Sequence, residues 1–107
     1  MWMTTLGEGK HQVSLKKQLI GPDILLILTG GDQPHLAGVV LCEPGKKSQV
    51  IIRGTHKDHI VLQPLAEAAC KKYNTTIVAV GGIHIDNASE EDIDQVIKNC
   101  KELETCI

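Results

Sequence analysis

Between Ile24 and Thr29 the chain runs Ile-Leu-Leu-Ile-Leu-Thr, five apolar side chains in succession. A strand that alternates apolar and polar residues leaves one face in water. A strand that is apolar on both faces has to be covered twice. The chain has 107 residues, the length of one domain, so the run reads as one of the more buried strands of a single core. Gly21-Pro22-Asp23 makes a turn before it and Gly30-Gly31 follows it.

The flanking segments take their places around it. Gln12–Ile20 alternates in part and pairs with the apolar run as a hairpin. Leu36–Cys42 and Ser48–Arg53 read as two further strands joined by the Glu43-Pro44-Gly45-Lys46 turn. Four strands with short links favour an antiparallel meander. From Asp58 to Tyr73 the apolar residues Ile60, Val61, Leu65, Ala68, Ala69 and Cys70 describe an amphipathic helix, with Lys71 and Lys72 at its end. Pro64 lies in its first turns or bends it. Thr75–Val80 is a fifth, β-branched strand. Ser89 with Asp92 forms a capping box ahead of the stripe Ile93, Val96, Ile97, Cys100 and Leu103, a second helix. The expected fold is α+β in the order β-β-β-β-α-β-α, a mixed, mainly antiparallel sheet with two helices on one face. Residues 1–107 form one domain. Two helices cover one face only, so a second copy of the chain is the simplest cover for the other, and a homodimer is expected.

Composition narrows the function classes. Eleven basic against thirteen acidic residues give a net charge of −2, which argues against a nucleic-acid binder with a broad basic surface. The only aromatic residues beside histidine are Trp2 and Tyr73, too few for a stacking platform. The longest apolar run is too short for a bilayer, and no signal peptide is visible, so a cytoplasmic, membrane-free protein is expected. None of the four cysteines forms a C-x-x-C pair, and Cys70 and Cys100 fall on the apolar helix stripes, as reduced core residues would.

Three segments set histidine beside glycine: Thr29-Gly30-Gly31-Asp32-Gln33-Pro34-His35, Arg53-Gly54-Thr55-His56-Lys57-Asp58 and Gly81-Gly82-Ile83-His84-Ile85-Asp86-Asn87. Each reads as a loop after an apolar strand. Glycine admits close backbone approach and positive φ, and histidine adds a donor, an acceptor or a metal ligand. No dinucleotide fingerprint or P-loop is present. The second segment leads into a helix, where free N–H groups together with Arg53, His56 and Lys57 suit a phosphate. Hairpin and helix-capping roles explain each loop taken alone. If His35, His56 and His84 converge, they suit a divalent metal with an open position. His11 and His59 are expected at the surface. Asp32 and Asp86 are available as general bases, although turn roles also account for them.

The three segments, with Leu36-Ala37-Gly38 after the first, Ala88 after the third and Gly7-Glu8-Gly9-Lys10 near the start, resemble the LpdD-like prenylated-flavin chaperone family in the same order along nearly the whole chain. The resemblance implies a fold similar to proteasome-assembly chaperones, a sheet backed by helices with a tendency to dimerise. It implies binding of reduced prenylated FMN (or FMN) and its delivery to a UbiD-type aromatic-acid decarboxylase, alongside a UbiX-type flavin prenyltransferase, without catalysis by the chain itself. The implied contact set is Gly30, Gly31, Pro34, His35, Arg53, Gly54, His56, Lys57, Gly81, Gly82, Ile83 and His84. With no phenylalanine available, the flavin ring would meet glycine backbone and aliphatic groups such as Ile83, or a partner chain. Two other functions stay open: a non-catalytic subunit that stabilises the decarboxylase, and a small enzyme using a metal on His35, His56 and His84.

Overall fold

The computed structural model describes residues 2–54 and 58–107. Six strands form one sheet: β1 (Trp2–Leu6), β2 (Val13–Ile20), β3 (Asp23–Gly31), β4 (Gln33–Cys42), β5 (Gln49–Ile52) and β6 (Ile77–His84), in the spatial order β1-β2-β3-β6-β4-β5. All neighbours are antiparallel except β3 and β6, which run parallel from Ile24↔Ile77 to Gly31↔His84. Helices α1 (His59–Tyr73) and α2 (Glu90–Thr105) pack on one face and against each other, α1 over β4, β5 and β6, α2 over β1 and β2. The α+β expectation holds.

The meander does not. β6 enters between β3 and β4, so the two hairpins are separated by the last strand to be made. The physical reason lies in the two continuous apolar runs, Ile24–Leu28 and Ile77–Val80. Each has apolar side chains on both faces, and pairing them in the centre of the sheet keeps both faces away from the edges. β1 was not anticipated. Its alternation of Trp2, Thr4 and Leu6 toward the core is short and half polar, and it is an edge strand.

Alternation sorts the sheet into two faces. Val13, Leu15, Ile24, Leu26, Leu28, Val40, Ile77 and Ala79 point to the helices and are buried with Leu62, Leu65, Ala66, Ala69, Val96, Cys100 and Leu103. Ser89 caps α2 as expected: its Oγ accepts from the Asp92 N–H at 3.1 Å while the Asp92 carboxylate accepts from the Ser89 N–H at 3.0 Å. Pro64 lies inside α1, which runs on through it to an Asn74 C-cap in the left-handed region. Burial pushes the Cys70 thiol up to about 11, helped by its hydrogen-bonded neighbour Cys42, and the Cys100 thiol up to about 12. Both are therefore neutral core thiols at neutral pH.

On the opposite face the pairs Leu25–Val78 and Ile27–Val80, and beyond them Val39, Leu41 and Ile51, form an apolar surface that no helix among the described residues covers. No helix among the described residues is long and apolar enough to cross a membrane.

Candidate functional site

Much of what reads as loop in the glycine–histidine segments is strand. Thr29, Gly30 and Gly31 end β3, Gln33, Pro34 and His35 begin β4, and only Asp32 lies between them. Gly81 to His84 complete β6. The glycines have packing reasons. A Cβ on Gly31 would run into the His84 carbonyl, and one on Gly81 into the Leu28 carbonyl, both at positive φ. A Cβ on Gly82 would stand 2.6 Å from the Ala37 methyl, 2.8 Å from the His35 ring and 2.9 Å from the Asp58 carboxylate. Strand β6 is therefore thin where its neighbours close over it, and that thinness lets His35 and Asp58 come together above Gly82.

The meeting point is the carboxyl end of the parallel pair β3–β6, where both helices begin. His35 comes from β4, Asp58 from the N-cap of α1, and His84 from the end of β6. Asp58 makes no capping bond with its side chain. Its Oδ2 lies 3.4 Å from His35 Nε2 instead. His84 Nε2 lies 2.8 Å from Asp86 Oδ1, and the two histidine rings are 5.6 Å apart, tilted by 45°. Asp32 fixes the turn that carries Asp86 by accepting its backbone N–H at 2.9 Å. Both aspartates thus hold the positions of their neighbours.

Below this polar rim opens a cleft of about 370 Å³, within the range of small-molecule sites. Its walls are Ile60 and Val61 from α1, Ile83, Ile85 and Ala88 from β6 and the turn after it, and Ile93, Val96 and Ile97 from α2, with His35, Asp58 and His84 at the polar side. Ile60 and Ile93 stand at the opening, 52% and 48% exposed. Of the residues expected at the site, His35, Ile83 and His84 line the cleft. Gly30, Gly31, Pro34, Gly81 and Gly82 belong to the strands around it. Arg53 and Gly54 follow β5, where the Arg53 guanidinium donates to the Leu36 carbonyl at 3.4 Å. His56 and Lys57 lie outside the described residues, so the phosphate-binding expectation and the third histidine of the metal set lie there too. Among the described residues no group of three or more His, Cys, Asp or Glu side chains is assembled for a metal.

The aliphatic walls were missed as a site because their periodicity reads as core. Ile60 and Ile93 continue the apolar stripes of their helices, yet both are exposed, ahead of the buried apolar positions Leu62 and Val96. The signal was an isoleucine at the start of each helix, where a helix usually turns polar. His11 was also misread. It is half-buried, 2.8 Å from Asp92, and with Lys10 at 3.3 Å it ties the 3-10 turn Gly9–His11 to the start of α2. The Ser89 backbone N–H, then His11 and Lys10, hold the Asp92 carboxyl well below the usual aspartate range. His59 is half-buried as well, with its Nδ1 shielded.

With the geometry fixed, comparison with known proteins places the chain. The prenylated flavin chaperone LpdD-like domain matches residues 7–107. The chain belongs to this family. It is similar to Protein LpdD of Lactiplantibacillus plantarum, 22% identical over 94 residues, which cover 83% of this chain and 69% of that protein. The fold is that of a crystallised chaperone complex for yeast 20S proteasome assembly, with a TM-score of 0.55, 12% identity and coverage of 99% of this chain and 98% of that one. The family connects the chain with flavin chaperones. The aliphatic cleft with its histidine–aspartate rim lies at the carboxyl ends of the parallel strands β3 and β6.

Proposed function

We infer that this chain is a carrier for prenylated FMN that hands the cofactor to a UbiD-type decarboxylase in the cytoplasm. The observation that carries the reading is the cleft itself, found at the helix starts of a member of the flavin-chaperone family. His35 and His84 would face the polar edge of the flavin, and Ile83 with the other aliphatic walls its apolar body. The phosphate tail is assigned to segment 53–58, with Arg53, His56 and Lys57 supplying positive charge ahead of α1. When bound, the flavin supplies redox and carbanion-stabilising chemistry to the decarboxylase. This chain's residues only bind it, orient it and limit water around it. A UbiX-type prenyltransferase is the corresponding source of cofactor.

The uncovered sheet face fits a second copy. Leu25, Ile27, Val39, Val78 and Val80 would lie across a two-fold axis from their own equivalents, closing a sandwich with sheets about 10 Å apart. This leaves the cleft, on the helix side, open in both copies.

The test is transfer. Carrier loaded without oxygen is mixed with apo-decarboxylase, and active enzyme is compared with that obtained from free cofactor, while light scattering reports the carrier's mass. Faster or fuller activation by loaded carrier, at twice the chain mass, is expected. Equal activation with no protection of the cofactor would favour a stabilising subunit, and turnover of an aromatic acid by this chain alone would favour an enzyme.

A further inference from the structure

Cys42 closes β4, and Cys70 stands in the last turn of α1, which packs over that strand. The two thiols are buried and are hydrogen-bonded neighbours. Ser48, just before β5, places its Oγ 3.5 Å from Cys42 Sγ and 2.7 Å from Oε2 of Glu67, which lies one turn before Cys70 on α1. A cavity of about 360 Å³ opens beside the group, between the turn Glu43–Lys46 and the end of α1, and both cysteines line it. This is the opposite end of α1 from the cleft, and the carrier reading makes no use of it. The other two cysteines are placed differently. Cys100 lines the narrow groove between the helices, and Cys106 is exposed at the end of α2.

Two thiols in this position have a chemistry that neither has alone. A single core thiol packs as a small apolar group. A pair held side by side by two packed elements can be joined by a two-electron oxidation, because the second sulfur is at hand as soon as the first is oxidised. The Ser48 hydroxyl gives a small polar oxidant a hydrogen-bonding group beside Cys42, at the wall of a cavity that reaches solvent. Burial pushes the Cys70 thiol up to about 11, which suits it to the second step rather than the first.

We propose that Cys42 and Cys70 form a redox-active dithiol, which hydrogen peroxide converts to a disulfide fastening the end of β4 to the last turn of α1. Cys42 Sγ attacks one peroxide oxygen. The O–O bond breaks, Cys42 becomes a sulfenic acid, and the thiol proton leaves with the released hydroxide as water. Cys70 Sγ then attacks the Cys42 sulfur. The S–O bond breaks, the S–S bond forms, and the Cys70 proton leaves with the hydroxide as a second water. Two thiols are oxidised by two electrons in all, and one peroxide is reduced to two waters. A dithiol reductant reverses the link. Because the link joins two elements distant in sequence, it restricts the unfolded chain and strengthens the closed end of the helix pair without touching the cleft.

The experiment treats the reduced full chain with hydrogen peroxide, removes the excess with catalase, blocks the remaining thiols in denaturant and maps the unreduced peptides by mass spectrometry. A peptide pair joined through Cys42 and Cys70 is expected, with a loss of about 2 Da from the chain before blocking. Cys106→Ser, which lacks the exposed thiol, should give the same link, and Cys42→Ala and Cys70→Ala should lose it. The linked chain should melt roughly 5–10 °C higher, and dithiothreitol should reverse both changes. All four thiols still free after treatment would overturn the proposal. So would oxygen added to Cys42 or Cys70 with no link between them, or a link made only through Cys106 of two chains. A Cys42–Cys70 link with an unchanged or lowered melting midpoint would overturn the fastening of β4 to α1. The mapping is done on the natural chain, so a variant that fails to fold does not remove the test.

Discussion

The two helices start together and end together, and the two ends of the pair are built differently. At their ends, Lys17 lies 5.1 Å from the Trp2 ring and 4.8 Å from that of Tyr73, donates to the Tyr73 hydroxyl at 2.9 Å, and Lys72 donates to the Ile107 carbonyl. Leu103 and Ile107 are buried close by. At their starts, Ile60 and Ile93 stand apart and leave a cleft. The same apolar periodicity runs through both ends. What differs is whether a partner side chain meets it. The closed end thus contributes to stability, and the open end is available for binding.

The contrast breaks most sharply under truncation. Leu103→Ala at the closed end should cost about 2–5 kcal/mol, since Leu103 has no exposed surface to relax into. Ile93→Ala at the open end should cost less than about 1 kcal/mol in the absence of ligand. Urea denaturation of both checks this, and equal losses would erase the distinction.

A second test sharpens the boundary between them. Asp92 sits at the start of α2 but on the flank sealed by His11 and Lys10. Its carboxyl is held below the ordinary value of 3.8, so folding favours the ionised form. That contribution is complete above the ordinary value and is lost as pH falls below it. The stability gap between the natural chain and Asp92→Asn should therefore be widest near neutrality and close in acid. A gap that does not change with pH would mean the carboxylate charge is not what seals this flank. The smallest effect belongs to Lys17→Met, about 0.5–1 kcal/mol, because the contacts it loses are exposed. Its clearer signature is spectroscopic. Lys17 is the main reason the Tyr73 hydroxyl titrates below 10.0, so the substitution should move that titration upward in an ultraviolet pH scan.

The sequence was most informative where chemistry and geometry are local. The Ser89–Asp92 box, the Cys70 and Cys100 positions and the α+β class depend on residues a few places apart, and the structure has them. The meander failed because the partner of Ile24–Leu28 lies about fifty residues away, and apolar composition marks a strand as central without naming its neighbour. The glycine–histidine segments did lead to His35 and His84, but as strand ends rather than loops: glycine there serves backbone packing as well as turning. The cleft walls were legible only in part. Ile83 was picked out by its place beside His84, whereas Ile60 and Ile93 are indistinguishable from core residues until the separation of the helix starts is known.

The position of β6 has a consequence for the chain's own synthesis. It is the sixth strand made and the fourth across the sheet. Until it emerges, β2–β3 and β4–β5 exist as two hairpins with raw inner edges, each flanked by apolar side chains and unable to form a common core. At ribosomal rates of about 5–20 residues per second, the interval between the completion of β3 and that of β6 lasts roughly 3–10 s. During that time, edge-to-edge pairing between nascent chains competes with folding. Insertion of one central strand then joins the two hairpins, and α2, made after it, adds the last wall of the cleft.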